Sequence, residues 1–206
     1  MKEMWDARYS VEGYAYGTEP NEYLRQVLEG LEPGRLLLPG EGEGRNAVYA
    51  AGLGWKVSAF DLSGVGKEKA MRLAAERGVE IDYRQAGFGQ EDYEAGSFDA
   101  AGLIYVHAHP LKQGEYHARI NRYLKKGGLV ILEGFSVNNL DHVGKGLNNG
   151  GPKDKAMLFT VERIRRDFPG YEILELREES VPHDEGAFHQ GTASVIRFTG
   201  RKRGEG

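Results

Sequence analysis

Cysteine is absent from this 206-residue chain, which excludes disulfides and any thiolate acting as metal ligand or nucleophile. Long apolar runs are missing too: no stretch approaches the roughly twenty residues that cross a bilayer, so no membrane partner is expected. A large excess of either charge is missing as well, with 27 Lys and Arg against 31 Asp and Glu. The formal net charge of −4 argues against a nucleic-acid binder that works by neutralising phosphates. The basic runs Arg163, Arg165, Arg166 and Arg201 to Arg203 read as solvated faces. The opening residues MKEMWDARYS lack the apolar core of a secretory signal, which gives a cytoplasmic expectation. No internal repeat or low-complexity tract interrupts the chain, and with 40% hydrophobic residues a single domain over residues 1–206 is expected.

What is present is organised around RLLLPGEGEGRN, Arg35 to Asn46. Leu36, Leu37 and Leu38 form the continuous apolar run of a strand buried on both faces. Pro39 ends it, and glycines 40, 42 and 44 let the backbone turn tightly and let a ligand approach where a Cβ would block it. Asn46 to Leu53 then reads as a helix whose first amides, with the positive end of the dipole, point at whatever lies over the turn. About twenty residues on, Lys56 to Phe60 alternates like a second strand. Asp61 ends it, placed to accept hydrogen bonds from the vicinal hydroxyls of a ribose.

The spacing separates two ligand classes. A dinucleotide fingerprint runs G-x-G-x-x-G, but here Arg45 takes the place of the third glycine. Glu41 and Glu43 in the turn would repel a pyrophosphate, whereas a cationic ligand suits them. The stretch resembles the first motif of class I S-adenosylmethionine-dependent methyltransferases, and Phe60-Asp61-Leu62-Ser63 resembles their second. The family usually carries an acidic residue two positions before the first glycine; this chain has Leu38 there, leaving Glu41 or the Gly40 carbonyl to meet the methionine amino group. W-D-x-R-Y at Trp5 to Tyr9 and Y-x-Y-G-x-x-P-N at Tyr14 to Asn21 are similar to the start of small methyltransferases of the tellurite-resistance (TehB) and thiopurine type.

Residues 1–31 then divide into an aromatic lid and a helix. In the lid, Arg8, Tyr9 and Tyr16 fold over the cofactor, packing of a terminal segment on the core being the alternative. Asn21 to Leu31 has the spacing of an amphipathic helix. Ser63 caps a helix that ends at Gly78, and Val79 to Arg84 is a third strand. Ala86, Gly87 and Phe88 follow where the resemblance places adenine contacts. A fourth strand from Ser97 to Val106 delivers Tyr105, His107 and His109 to its carboxyl end, the place for acceptor chemistry in an open α/β sheet. One of these imidazoles serves as a general base, or both are loop histidines. Without a third ligand nearby, no metal site is expected. The Asn/Asp-Pro-Pro-Tyr/Phe signature of amino-group methylation is absent.

Leu111 to Leu124 reads as a helix, Leu129 to Phe135 as a fifth strand and residues 136–156 as a loop on the active face. Thr160 caps a last helix through Phe168. Tyr171 to Glu179 and Thr192 to Thr199 read as two strands joined by a turn over His183 to Gly191. The expected fold is a doubly wound, mostly parallel, seven-stranded Rossmann-like α/β sheet with helices on both faces, for which the resemblance implies the order 3-2-1-4-5-7-6. The resemblance also implies methyl transfer from S-adenosyl-L-methionine to a small-molecule acceptor. Gly40, Glu41, Gly42, Glu43, Gly44, Asn46, Asp61, Leu62, Ser63 and Tyr105 are placed around the cofactor together with the lid and adenine positions named above. A nicotinamide or flavin oxidoreductase and a non-catalytic nucleoside-binding module remain as alternatives. Nothing in the sequence fixes the oligomeric state.

Overall fold

The structure is a computed structural model that describes residues 1–142 and 150–204. In chain order the elements are α1 (Lys2–Tyr9), α2 (Glu22–Glu29), β1 (Arg35–Pro39), α3 (Arg45–Gly52), β2 (Lys56–Asp61), α4 (Gly64–Arg77), β3 (Asp82–Gln85), β4 (Phe98–Ile104), α5 (Pro110–Tyr123), β5 (Leu124–Phe135), α6 (Val161–Asp167), β6 (Tyr171–Glu185) and β7 (His189–Lys202). All seven strands form one sheet in the order β3-β2-β1-β4-β5-β7-β6, as expected. The first five strands pair in parallel, and β7 runs antiparallel between β5 and β6.

Side chains along a strand alternate between the faces of the sheet, and β1 shows what that demands here. Leu36 and Leu38 enter the core shared with Tyr23, Leu24 and Leu28 of α2, Ala47 of α3 and Leu73 of α4. Leu37 points the other way, among Phe98, Ile120, Tyr123, Ile164 and Phe198. The unbroken leucine run therefore serves two cores at once. Helix starts are set by side-chain caps: Asn21 accepts from the Leu24 amide at 3.0 Å, Ser63 from Gly66 at 3.0 Å and Thr160 from Arg163 at 3.2 Å. Gly78 ends α4 with φ +66°, a left-handed close that glycine adopts without strain.

At the β6–β7 hairpin expectation and structure differ because the inward face is polar. The turn expected over His183 to Gly191 shrinks to a single 3-10 turn at Gly186–Phe188. Both flanking strands run on, with His183 opposite Gly191 and Glu185 opposite His189. Val181 and His183 are buried while Pro182 and Asp184 are exposed, a strand alternation in which polar residues stand where apolar ones signal a core. The third strand begins at Asp82 rather than Val79. The loop expected at 136–156 contains 3-10 turns at Val137–Asp141 and Lys155–Met157; residues 143–149 of it lie outside the described part. Among the described residues no helix is long and apolar enough to cross a membrane.

Truncating Leu37 tests the central position of β1. Leu37→Ala is expected to lower unfolding stability by about 2 to 5 kcal/mol, read from the urea midpoint at constant slope; a change below about 1 kcal/mol would mean that this strand is not buried on both faces.

Candidate active site

The chain after β1 bends through glycines at φ +63° (Gly40), +62° (Gly42) and +88° (Gly44). The Gly40 and Glu41 amides both donate to the Phe60 carbonyl at the end of β2, at 2.7 and 3.2 Å. Gly44 has a second reason to be glycine: a Cβ there would stand 2.5 Å from that of Ala70, so α3 and α4 approach across it. The turn lies at the carboxyl ends of the strands where β1 is flanked by β2 on one side and β4 on the other. That is the switch point at which open α/β sheets bind ligands. Asp61 sits beside it, buried, with one carboxylate oxygen accepting from the Gly42 amide at 3.1 Å and the other from the Ser63 amide at 2.8 Å. Burial pushes its pKa up, with the two amides pulling the other way. Each oxygen keeps a further lone pair.

The two glutamates of the turn find their partners within the protein. Glu41 folds back onto the start of α3, accepting from the Ala47 amide at 2.7 Å and from Asn46 Nδ2 at 3.3 Å; burial raises its pKa to about 7. Glu43 accepts from the Ala15 amide at 2.7 Å and pairs with Lys69 at 3.0 Å. Its charge is thus answered within the protein rather than by a cationic ligand, a correction to the reading of the acidic turn. Asn46 is taken up similarly, its Oδ1 accepting from the Asn21 amide at 2.8 Å. Arg45 turns away from the turn altogether. It pairs with Glu185 at 3.0 Å and reaches the carbonyls of Tyr16 and Glu19.

The N-terminal segment closes over the turn. Trp5 stacks on Tyr9 with ring centroids 5.5 Å apart, and the Tyr9 hydroxyl lies 2.5 Å from where a Gly42 Cβ would be. Asp6 accepts from Ser63 Oγ at 2.6 Å, and Lys69 holds the carbonyls of Val11 and Gly13 at 2.9 and 2.6 Å. Arg8 donates to the Tyr16 hydroxyl at 2.8 Å and lies 4.5 Å from the Phe188 ring. Of the three residues expected in the lid, Tyr9 stands against the backbone of the turn, whereas Arg8 and Tyr16 pack on the tip of the β6–β7 hairpin. Beyond Asp61, Leu62 covers Gly87, whose Cβ would stand 2.8 Å from Leu62 Cδ2. The Ala86 amide donates to the Asp61 carbonyl at 2.9 Å. One face of the Phe88 ring is committed to Tyr116, 4.2 Å away and nearly parallel.

On the acceptor side Tyr105 is brought to the site, but the two histidines after it are not. Tyr105 is the non-glycine residue with positive φ (+54°) among those described, a strained conformation of the kind that marks functional positions. Its hydroxyl lies 2.8 Å from Glu133 Oε1 and 2.7 Å from His183 Nε2. His107 has both ring nitrogens occupied by backbone: Nδ1 meets the Met157 carbonyl at 3.0 Å and Nε2 accepts from the Phe135 amide at 3.0 Å. Burial lowers its pKa to about 4, so it is a clasp between the end of β5 and residue 157, not a base. His109 is exposed and caps α5 by accepting from the Leu111 amide at 3.3 Å.

The polar residues that do gather here are ones the linear sequence disguised. Asn21 donates to Glu133 Oε1 at 2.6 Å, and Arg197 pairs with the other Glu133 oxygen. Glu185 receives Arg45 and also His189 Nδ1, at 2.9 Å. They come from the cap of α2, from β5, and from β6 and β7. The available signal was the two-residue spacing Val181, His183, Glu185. Among the described residues, no group of three or more His, Asp or Glu side chains is arranged to hold a metal. A surface cleft lined by Trp55, Asp99 and Gly128 opens at the opposite, amino-terminal end of the strands and shares no residue with this site.

Comparison with known proteins agrees with this geometry. Residues 37–132 match the methyltransferase domain. A ubiquinone biosynthesis O-methyltransferase of Caulobacter sp. (strain K31) is 38% identical over 109 residues, 52% of this chain and 42% of that protein, so the chain spans less than half the length of that relative. A solved structure described for the conversion of a disulfide bond into a thioacetal group during echinomycin biosynthesis superimposes with a TM-score of 0.77 at 19% identity, covering 98% of this chain and 92% of the other. TehB from Haemophilus influenzae gives 0.70 at 13% identity over 98% of this chain and 67% of its own. At those identities the structural likeness speaks for the fold. Sheet order, glycine turn and matched domain agree: residues 37–132 are similar to the methyltransferase domain, and the chain has the fold of the class I S-adenosylmethionine-dependent methyltransferases.

Proposed function

We propose that the protein transfers a methyl group from S-adenosylmethionine to a small-molecule acceptor at the carboxyl ends of β1, β2 and β4. The observation that carries this reading is the Asp61 carboxylate held 3.1 Å from the amide of Gly42, a sugar-gripping acid beside bare backbone. The surrounding residues fit the nucleoside: the spare lone pairs of Asp61 suit vicinal hydroxyls, and Leu62 with Gly87 flanks a place for the purine. Gly87 also offers its amide, now answered at 2.8 Å by the exposed side chain of Gln90. Bound there, S-adenosylmethionine supplies a methyl group already activated by its positive sulfur. What the chain itself has to do is align the acceptor and keep water out. A soft nucleophile such as a thiolate, or a reduced selenium or tellurium species, asks for nothing more.

Tyr9 has to leave Gly42 for the nucleoside to reach the backbone, and Trp5, stacked on it, reports the movement. In a Trp55→Phe background Trp5 is the sole indole. S-adenosylhomocysteine is expected to change its emission with the same midpoint as the calorimetric heat. Binding with unchanged emission would place the ligand elsewhere.

Asp61→Ala is expected to weaken S-adenosylhomocysteine by about 1 to 3 kcal/mol, roughly 5- to 150-fold. Asp61→Asn, which retains an acceptor for the turn amides, should lose less, and a thermal melt checks that both variants are folded. Equal affinity in all three proteins, or heat with NADH and none with S-adenosylhomocysteine, rejects the proposal.

A further inference from the structure

The tip of the β6–β7 hairpin carries groups that transfer to a ready-made thiolate leaves without a task. Glu185 accepts from His189 Nδ1 at 2.9 Å and from Arg45 at 3.0 Å. Burial favours the protonated carboxyl, but the His189 hydrogen bond and the Arg45 charge outweigh it and hold Glu185 well below the usual carboxylate range. An ionised carboxylate only accepts, so Nδ1 carries the proton and Nε2 is left as a lone-pair nitrogen. This is the arrangement by which an acid orients an imidazole base. His189 is itself buried, which lowers its pKa against the pull of Glu185. The groups facing it are His183 and Glu185 of β6, Arg45 of α3, Tyr105 after β4, Phe135 of β5 and Tyr16 of the N-terminal segment.

Two features describe the surroundings of that ring. A Cβ at residue 150 would stand 2.9 Å from His189 Nε2, so Gly150 packs bare backbone against that edge and leaves the Tyr16 side for a ligand. A phenol ring already lies against the imidazole: Tyr16, with its centroid 4.6 Å away. Tyr16 rides on the segment that has to lift when Tyr9 leaves Gly42. The nearby charges are matched in pairs, Arg45 with Glu185 and Arg197 with Glu133, which favours an acceptor that is neutral on entry.

Building on the proposed methyl transfer, we infer that the acceptor is an aromatic ring bearing an O–H or S–H group. It takes the place of the Tyr16 ring, and His189 is the catalytic base. As the acceptor's oxygen or sulfur forms its bond to the methyl carbon, its proton passes to His189 Nε2. The bond from that carbon to the sulfonium sulfur breaks, and its electron pair stays on the sulfur. The products are an aryl methyl ether or thioether, S-adenosylhomocysteine and an imidazolium opposite Glu185, which then releases its proton to water. Glu185 is a positioning residue, and Arg45 keeps it ionised.

The test uses the full-length protein with 4-nitrophenol and 4-nitrothiophenol, whose ionisation is visible by absorbance. With S-adenosylhomocysteine bound and at a pH below the probe's own pKa, wild type is expected to raise the ionised fraction several-fold over buffer. His189→Gln should bind S-adenosylhomocysteine equally well and leave the fraction at its buffer value. Glu185→Gln, which leaves the imidazole in place, should fall between them. With labelled S-adenosylmethionine, methyl transfer to the responding probe should drop about 10²- to 10⁴-fold in His189→Gln and lose the rise with pH that wild type shows below the usual imidazole range. A response to one probe alone tells oxygen from sulfur. No added ionisation in wild type, or an unchanged response in folded His189→Gln, overturns the base assignment while leaving cofactor binding intact. Absence of S-adenosylhomocysteine binding takes down the methyltransferase activity and this inference together.

Discussion

Arg45 occupies the first turn of the helix that follows the glycine turn, and its guanidinium is buried. A buried charge is tolerated only when acceptors surround it, and Arg45 draws them from two distant stretches of chain: Glu185 from the hairpin, and the carbonyls of Tyr16 and Glu19 from the N-terminal segment. The helix after the glycine turn, the N-terminal segment and the β6–β7 hairpin therefore share one cation. Lys69 does the same on the other side of the turn, joining Glu43 to the carbonyls of Val11 and Gly13. Arg197 with Glu133 fastens the last strand to the fifth. Breaking such pairs from one side leaves a stranded charge, which is what makes the local geometry well defined.

Much of the fold could be read from residues in order because it rests on period and punctuation. The leucines of β1, the cap at Ser63 and the left-handed stop at Gly78 are local signals, and the structure uses each as expected. The glycine turn with Asp61 was legible for the same reason, since both lie in one short β-α-β unit. The polar cluster proposed to meet the acceptor was not. It is assembled from Asn21, Arg45, Glu133, Glu185 and His189, which meet only after the sheet has closed. His183 and His189 sit in strands whose inner face is polar, so the alternation that betrays a strand was masked by residues typical of turns. His107 and His109 drew attention because histidine after a strand suggests chemistry, whereas one clasps two amide-level partners and the other caps a helix.

The glutamates of the turn teach a related lesson. Charge in a binding loop invites the thought of a complementary ligand, but a carboxylate surrounded by orphan amides at a helix start finds nearer partners. Glu41 satisfies the first amides of α3, and Glu43 holds Ala15. Under the proposed function, the preference of this turn for one ligand over another therefore comes less from its acidic residues than from bare backbone, Arg45 in place of a fingerprint glycine and the position of Asp61.

Tyr9 and Tyr16 belong to a single short stretch, one resting on the glycine backbone and the other against His189. On the proposed reading, a displacement that uncovers the first also loosens the second. Under the proposed chemistry this arrangement enforces a sequence of arrivals: the nucleoside opens the door through which the methyl acceptor enters, and neither compartment is left wet while it waits for the other.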